Sequence, residues 1–124
     1  MDGSERKKCA LLSSSENARA DRIRKLNDEL RENGHGGRIV ITKGVEQLEL
    51  PAIATILTKV RNFSEFDGNN DPFCEHDMGG FASDGRLILW KIDYYDSRLE
   101  FASPDPTDPV VTKRVLTVML ASEY

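Results

Sequence analysis

Ser83-Asp84-Gly85 separates two strand-like runs, Phe73 to Ala82 and Arg86 to Tyr95. Asp-Gly between such runs is the strongest short-range hairpin signal, because both central residues of the favoured turn need positive φ. With Asp84-Gly85 as the turn, Ser83 pairs with Arg86, and His76 would then face Asp93 while Met78 faces Lys91. A bulge at Gly79-Gly80 would shift the register by one. It would bring Glu75, Asp77 and Asp93 onto one face with Lys91 and Tyr95. Ile88, Trp90, Ile92 and Tyr94 take the opposite face in both cases and read as the core side.

The remaining elements follow from periodicity and punctuation. From Glu16, the residues Ile23, Leu26 and Leu30 recur at helical spacing, and Gly34 suits the left-handed residue that closes the helix. Arg19, Arg22, Lys25 and Arg31 give this helix a basic side mixed with acids, read as a solvated face. Arg38 to Thr42 is a short β-branched strand, and Lys43-Gly44 turns the chain. Pro51 opens a second helix with Ile53, Ile56, Leu57 and Val60 as its buried stripe. Asp67 to Pro72 is a loop. Asp108 as N-cap and Pro109 at the first position then predict a last helix, with Val111, Val115, Val118 and Met119 on its apolar side. The expected fold is α+β: a small antiparallel sheet, made of the hairpin and a short strand, packed against about three helices. Residues 1–16 read as a flexible tail and 17–124 as one domain.

The charge is unevenly placed. Among 124 residues the net charge is −4. Residues 67–109 hold Arg86, Lys91 and Arg98 against ten acids, a net of −7, whereas the rest of the chain carries fourteen basic and eleven acidic residues, +3. Such an acidic stretch argues against direct nucleic-acid binding there. No apolar run is long enough to span a bilayer. Arg6-Lys7-Lys8 is followed only by Cys9-Ala10-Leu11-Leu12, too short for a secretory segment, so a cytoplasmic location is expected. Cys9 and Cys74 make neither a metal spacing nor a redox pair, and with Cys9 in the tail a structural disulfide is not expected. No cofactor or metal is implied: Gly34-His35-Gly36-Gly37 follows a helix where a phosphate loop would precede one, and Asp67 to Asp71 lacks the remainder of a calcium loop.

Three blocks carry a resemblance. Asn70-Asp71-Pro72-Phe73-Cys74-Glu75-His76-Asp77, Trp90-Lys91-Ile92-Asp93-Tyr94-Tyr95-Asp96 and Ser103-Pro104-Asp105-Pro106-Thr107-Asp108-Pro109 resemble, in order, the signature of the alphaproteobacterial family known as domain of unknown function 3768. The closing Val115 to Tyr124 is similar to that family's C-terminus. The chain departs from the family pattern at Cys74, where glycine is more usual, and at Met78, where phenylalanine is. The resemblance implies no activity, fold or cofactor. It implies a mobile-element setting, and with it a role in conflict between mobile DNA and host defence.

Two functional readings follow. The first is a small acidic non-enzymatic protein that masks the basic surface of a protein partner, with Asp67, Asp71, Glu75, Asp77, Asp96, Asp105 and Asp108 as contacts. Joined to the family setting, this becomes an inhibitor of a host defence system, anti-CRISPR or anti-restriction. The alternative is a metal-assisted or acid–base hydrolase using His76, Asp93 and Lys91 beside Tyr95. The sequence leaves enzymatic activity open and leans against it. Oligomeric state is left open too.

Overall fold

The computed structural model describes residues 13–124. The basic triplet Arg6-Lys7-Lys8, Cys9 and most of the expected tail lie outside the described residues. Helix α1 spans Ser14–Asn33, starting two residues before the expected Glu16. A reciprocal cap explains the start: the Glu16 N–H donates to Ser13 Oγ at 3.1 Å, and the Ser13 N–H donates to Glu16 Oε1 at 3.0 Å. Gly34 ends the helix at φ 75°, its N–H returning to the Leu30 carbonyl at 2.9 Å.

Strand β1 is Gly37–Ile41. The expected Lys43-Gly44 turn is a short helix, α2, at Lys43–Glu46. Helix α3 spans Leu50–Arg61 with Pro51 in its first turn, burying Ile56 and Val60. The chain then runs without regular structure from 62 to 77. The hairpin follows as β2 (Met78–Ser83) and β3 (Arg86–Tyr95), and β4 (Lys113–Leu120) leads into a final 3-10 turn, Ala121–Glu123. The sheet order is β1-β4-β3-β2, with β1 parallel to β4 and the other pairs antiparallel. The fold is α+β.

The hairpin takes the unbulged register: Ser83 pairs with Arg86 and Met78 with Lys91. Asp84 (φ 51°) and Gly85 (φ 76°) supply the positive-φ turn. Strand β2 starts at Met78 rather than at Phe73. The predicted last helix is corrected: Lys113–Leu120 is a strand between β1 and β3. Its signals were ambiguous at close range. The Val110 N–H donates to Asp108 Oδ1 at 2.9 Å, the bond an N-cap would make, yet it closes an isolated turn. The apolar run 115–120 satisfies a buried strand as well as a helix face, and Val115, Thr117 and Val118 favour the strand.

Leu30 of α1, Ile56 and Val60 of α3, Phe63, Ile88, Trp90 and Ile92 of β3, and Leu116 and Val118 of β4 form the core. One polar residue is central to it. Arg31, expected on a solvated face, is 4% exposed. Its Nη1 donates to the carbonyls of Val60, Arg61 and Phe63 at 3.0–3.1 Å, and its Nη2 reaches Asp28 at 3.1 Å and Glu32 at 3.3 Å. The guanidinium thereby closes the carbonyl end of α3, where the helix dipole favours a cation. Replacing Arg31 by Met leaves those carbonyls without their donor. We expect a loss of about 3 kcal/mol, measured by urea denaturation; a loss below about 1 kcal/mol would mean that water satisfies the α3 end unaided.

Candidate functional site

The 62–77 segment is shaped by carboxylates bonding to backbone. Asp67 Oδ1 accepts the N–H groups of Asn69 (2.8 Å) and Asn70 (3.1 Å). Asp71 is 4% exposed, and its Oδ1 accepts the Glu75 and His76 N–H groups, each at 3.0 Å. Around it Cys74 (φ 58°) and His76 (φ 55°) adopt left-handed backbone, costly for side chains of their kind and held by the surrounding bonds. Cys74 is buried, and the expectation about a disulfide turns on Cys9, which lies outside the described residues.

The turn at His76 decides the fate of the predicted His76–Asp93 pair. The last hairpin bond runs from the Ile92 N–H to the Asp77 carbonyl at 2.8 Å, and His76 leaves the ladder toward α1. Its Nδ1 lies 2.9 Å from Asp28 Oδ1, its Nε2 3.6 Å from Asp71 Oδ2, and its ring stacks on Phe66 at 3.7 Å with 5° between planes. Phe66 in turn meets Trp90 edge-on. Burial opposes ionisation of Asp28, but the His76 and Arg31 contacts outweigh it and hold the carboxyl below its usual range.

Lys91, Asp93 and Tyr95 alternate with Trp90 and Ile92 along β3 and so occupy the other side of the sheet. There Lys91 Nζ meets Asp93 Oδ2 at 2.9 Å, and this bond holds the Lys91 pKa above its usual value. The structure therefore divides the proposed catalytic set across the sheet. Among the described residues no group of three or more His, Cys, Asp or Glu side chains could hold a metal ion.

A second polar cluster escaped sequence reasoning. Asn27 Nδ2 donates to Tyr94 Oη (2.8 Å) and to the Glu75 carbonyl (3.0 Å). Tyr94 donates to Glu75 Oε1 (3.0 Å), and Arg114 Nε donates to Asn27 Oδ1 (2.9 Å) while its guanidinium lies 5.1 Å from the Tyr94 ring centre. Arg114 Nη2 also donates to the Pro106 carbonyl. Burial, then the Glu75 charge, pushes the Tyr94 phenol up; burial lowers Arg114. The available signals were an asparagine within an apolar helical stripe and an arginine beginning an apolar strand.

The seven predicted contact acids thus have different fates. Asp71 is buried, Glu75 belongs to the Tyr94 cluster with Arg19 3.9 Å away, and Asp77 is half-buried. Asp67, Asp96, Asp105 and Asp108 remain in surface turns. Asp96 accepts the Arg98 and Glu100 N–H groups, at 3.1 and 3.0 Å. Asp105 accepts the Thr107 hydroxyl at 2.7 Å and its N–H at 3.1 Å. Both stay charged to lower pH than usual, Asp96 chiefly through the Glu100 N–H and Asp105 chiefly through the Thr107 hydroxyl. Arg19 and Arg22 of α1 also act on Asp105, so part of the −7 is balanced by the helix beside it.

Burial first, then the Glu75 charge, raises Asp77 to about 6. Its folded pKa exceeds the unfolded one, so ionising it costs stability as pH rises from about 4 to about 6. Asp77→Asn should therefore stabilise the fold at pH 7.5 by on the order of 1 kcal/mol after screening, and by nothing at pH 3.5. Asp28 has the opposite sign: its contribution is present above about pH 4 and lost as pH falls through its lowered pKa. Denaturation midpoints from pH 3 to 8 check both; an Asp77→Asn gain independent of pH would contradict the assignment.

No curated protein and no solved structure gives a significant match to the chain. Residues 41–123, from the end of β1 through β4 to the final turn, match the family described as protein of unknown function (DUF3768). That span includes the 62–77 loop, both hairpin strands and Arg114, and the chain belongs to this family.

Proposed function

We propose that the chain is a protein-binding module whose contact surface is the β3–β4 connection, residues 96–112. The observation that carries this reading is a juxtaposition in that connection. Phe101 is 72% exposed and Val110 85%, with Leu99 also exposed, amid Asp96, Glu100, Asp105 and Asp108. Exposed apolar anchors with charged residues around them have the composition of an interface: burial of the anchors supplies affinity, and the rim sets partner and encounter rate. Each of the three aspartates is oriented by a backbone N–H of its own turn, so little ordering cost remains on binding. The complementary partner is a protein with a basic surface.

The mobile-element setting implied by the resemblance supports a narrower form: a basic nucleic-acid-binding groove of a host defence protein, occupied by carboxylates in place of phosphates. Hydrolysis is not preferred, because His76 and the Lys91–Asp93–Tyr95 group do not converge.

Asparagine keeps the turn-forming side-chain oxygen but not the charge, so an Asp96→Asn, Asp105→Asn, Asp108→Asn variant isolates electrostatics from folding. In affinity capture from bacterial lysate it should recover at least about tenfold less partner at 50 mM salt, the gap closing near 500 mM. Phe101→Ala should weaken capture at both salt concentrations. Capture indifferent to both variants would sink the proposal.

A further inference from the structure

The two edges of the sheet are finished differently. In the hairpin, Ser83 and Arg86 form the bonded pair next to the turn, so the Ala82 carbonyl points outward. Lys59 Nζ donates to it at 3.1 Å, a lysine guarding an edge strand. On β1 the Thr42 N–H donates to the Val118 carbonyl at 3.1 Å, with Ile41 level with Val118. In a parallel ladder only alternate residues bond to the neighbour, so Val40 and Thr42 face β4. The peptide groups of Gly37, Ile39 and Ile41 point away from the sheet. Gly37, Arg38 and Ile39 are exposed, with Ile39 at 41%. Among the described residues no proline or bulge interrupts this edge, Arg38 is the one charged side chain in the strand, and the β-branched composition favours pairing.

We propose that a second copy of this chain docks on β1, its own β1 adding antiparallel so that the two sheets become one across a two-fold axis at Ile39. The register is dictated by the outward peptide groups. Centred on Ile39, Gly37 lies opposite Ile41 of the second copy and Ile39 opposite Ile39, so each outward group meets another outward group and both bonds of each pair form. Arg38 then lies opposite Val40 of the second copy, so its charge does not face its own copy across the axis. The half-exposed Ile39 side chains meet at the axis and remove each other from water. This goes beyond the binding reading above, which concerns a different loop, and each stands without the other.

Sedimentation from about 10 µM to about 500 µM should show a monomer–dimer equilibrium. Over the same range the Ile39 and Ile41 amides should slow in hydrogen exchange by at least about tenfold. Ile39→Pro removes only an outward N–H, so the ladder to β4 survives and the protein should fold as a monomer. Should that variant not fold, Ile39→Asp opposes two carboxylates at the axis and should also give a monomer. The Asp96→Asn, Asp105→Asn, Asp108→Asn variant should dimerise normally. A wild-type monomer at 500 µM would overturn the proposal. So would a dimer that survives the Ile39 variants, or one whose Ile39 and Ile41 amides exchange at the monomer rate.

Discussion

A buried guanidinium must find its hydrogen bonds inside the protein, and Arg31 finds them in three separate parts of the chain. Its own helix supplies Asp28 and Glu32, the end of α3 supplies the Val60 and Arg61 carbonyls, and the following loop supplies Phe63. Its guanidinium carbon lies 5.5 Å from the ring centres of both Phe66 and Trp90. Moving any one of these would leave a buried charge less fully bonded, at a cost larger than that of a typical exposed contact. The relative placement of α1, α3 and the first part of the loop follows from this requirement.

Asp28 extends the constraint. It accepts from Arg31 and also contacts His76, so the far end of the 62–77 loop is tied to the same helical turn that holds its beginning. Phe66 completes the closure by stacking on His76 while meeting Trp90. A histidine between two carboxylates suggests acid–base chemistry on paper. Here it clips a left-handed loop to a helix, and its geometry is accounted for by packing and hydrogen bonding. Two of the resemblance blocks meet at this clip and at the neighbouring Tyr94–Glu75 cluster.

The acidic middle of the chain is several things at once. Asp71 organises a loop from within, Glu75 serves a buried tyrosine, Asp93 pairs with Lys91, and Asp96, Asp105 and Asp108 hold surface turns. Linear charge counting merged these roles because sequence distance carries no information about burial. In the β3–β4 connection the exposed Leu99, Phe101 and Val110 are interspersed along the chain with carboxylates, and their exposure was not visible in charge alone.

Features closed by local bonds were legible in the sequence: the Gly34 helix stop, the Pro51 helix start, the Asp84-Gly85 hairpin, and the alternation that buries Ile88, Trp90 and Ile92; between the two hairpin registers that the sequence left open, the structure chose the unbulged one. Each depends on residues within a few positions of one another, so composition and spacing suffice. The state of the 113–120 segment, the direction of His76 and the burial of Asn27, Arg31, Asp71 and Arg114 were decided only by tertiary structure. An apolar run becomes a strand when two strands stand ready on either side, as β1 and β3 do for β4. A polar side chain is buried when partners from distant segments satisfy it, as Val60 does for Arg31 and Tyr94 for Asn27. Those partners are far away in sequence, and their arrival is a property of the whole fold.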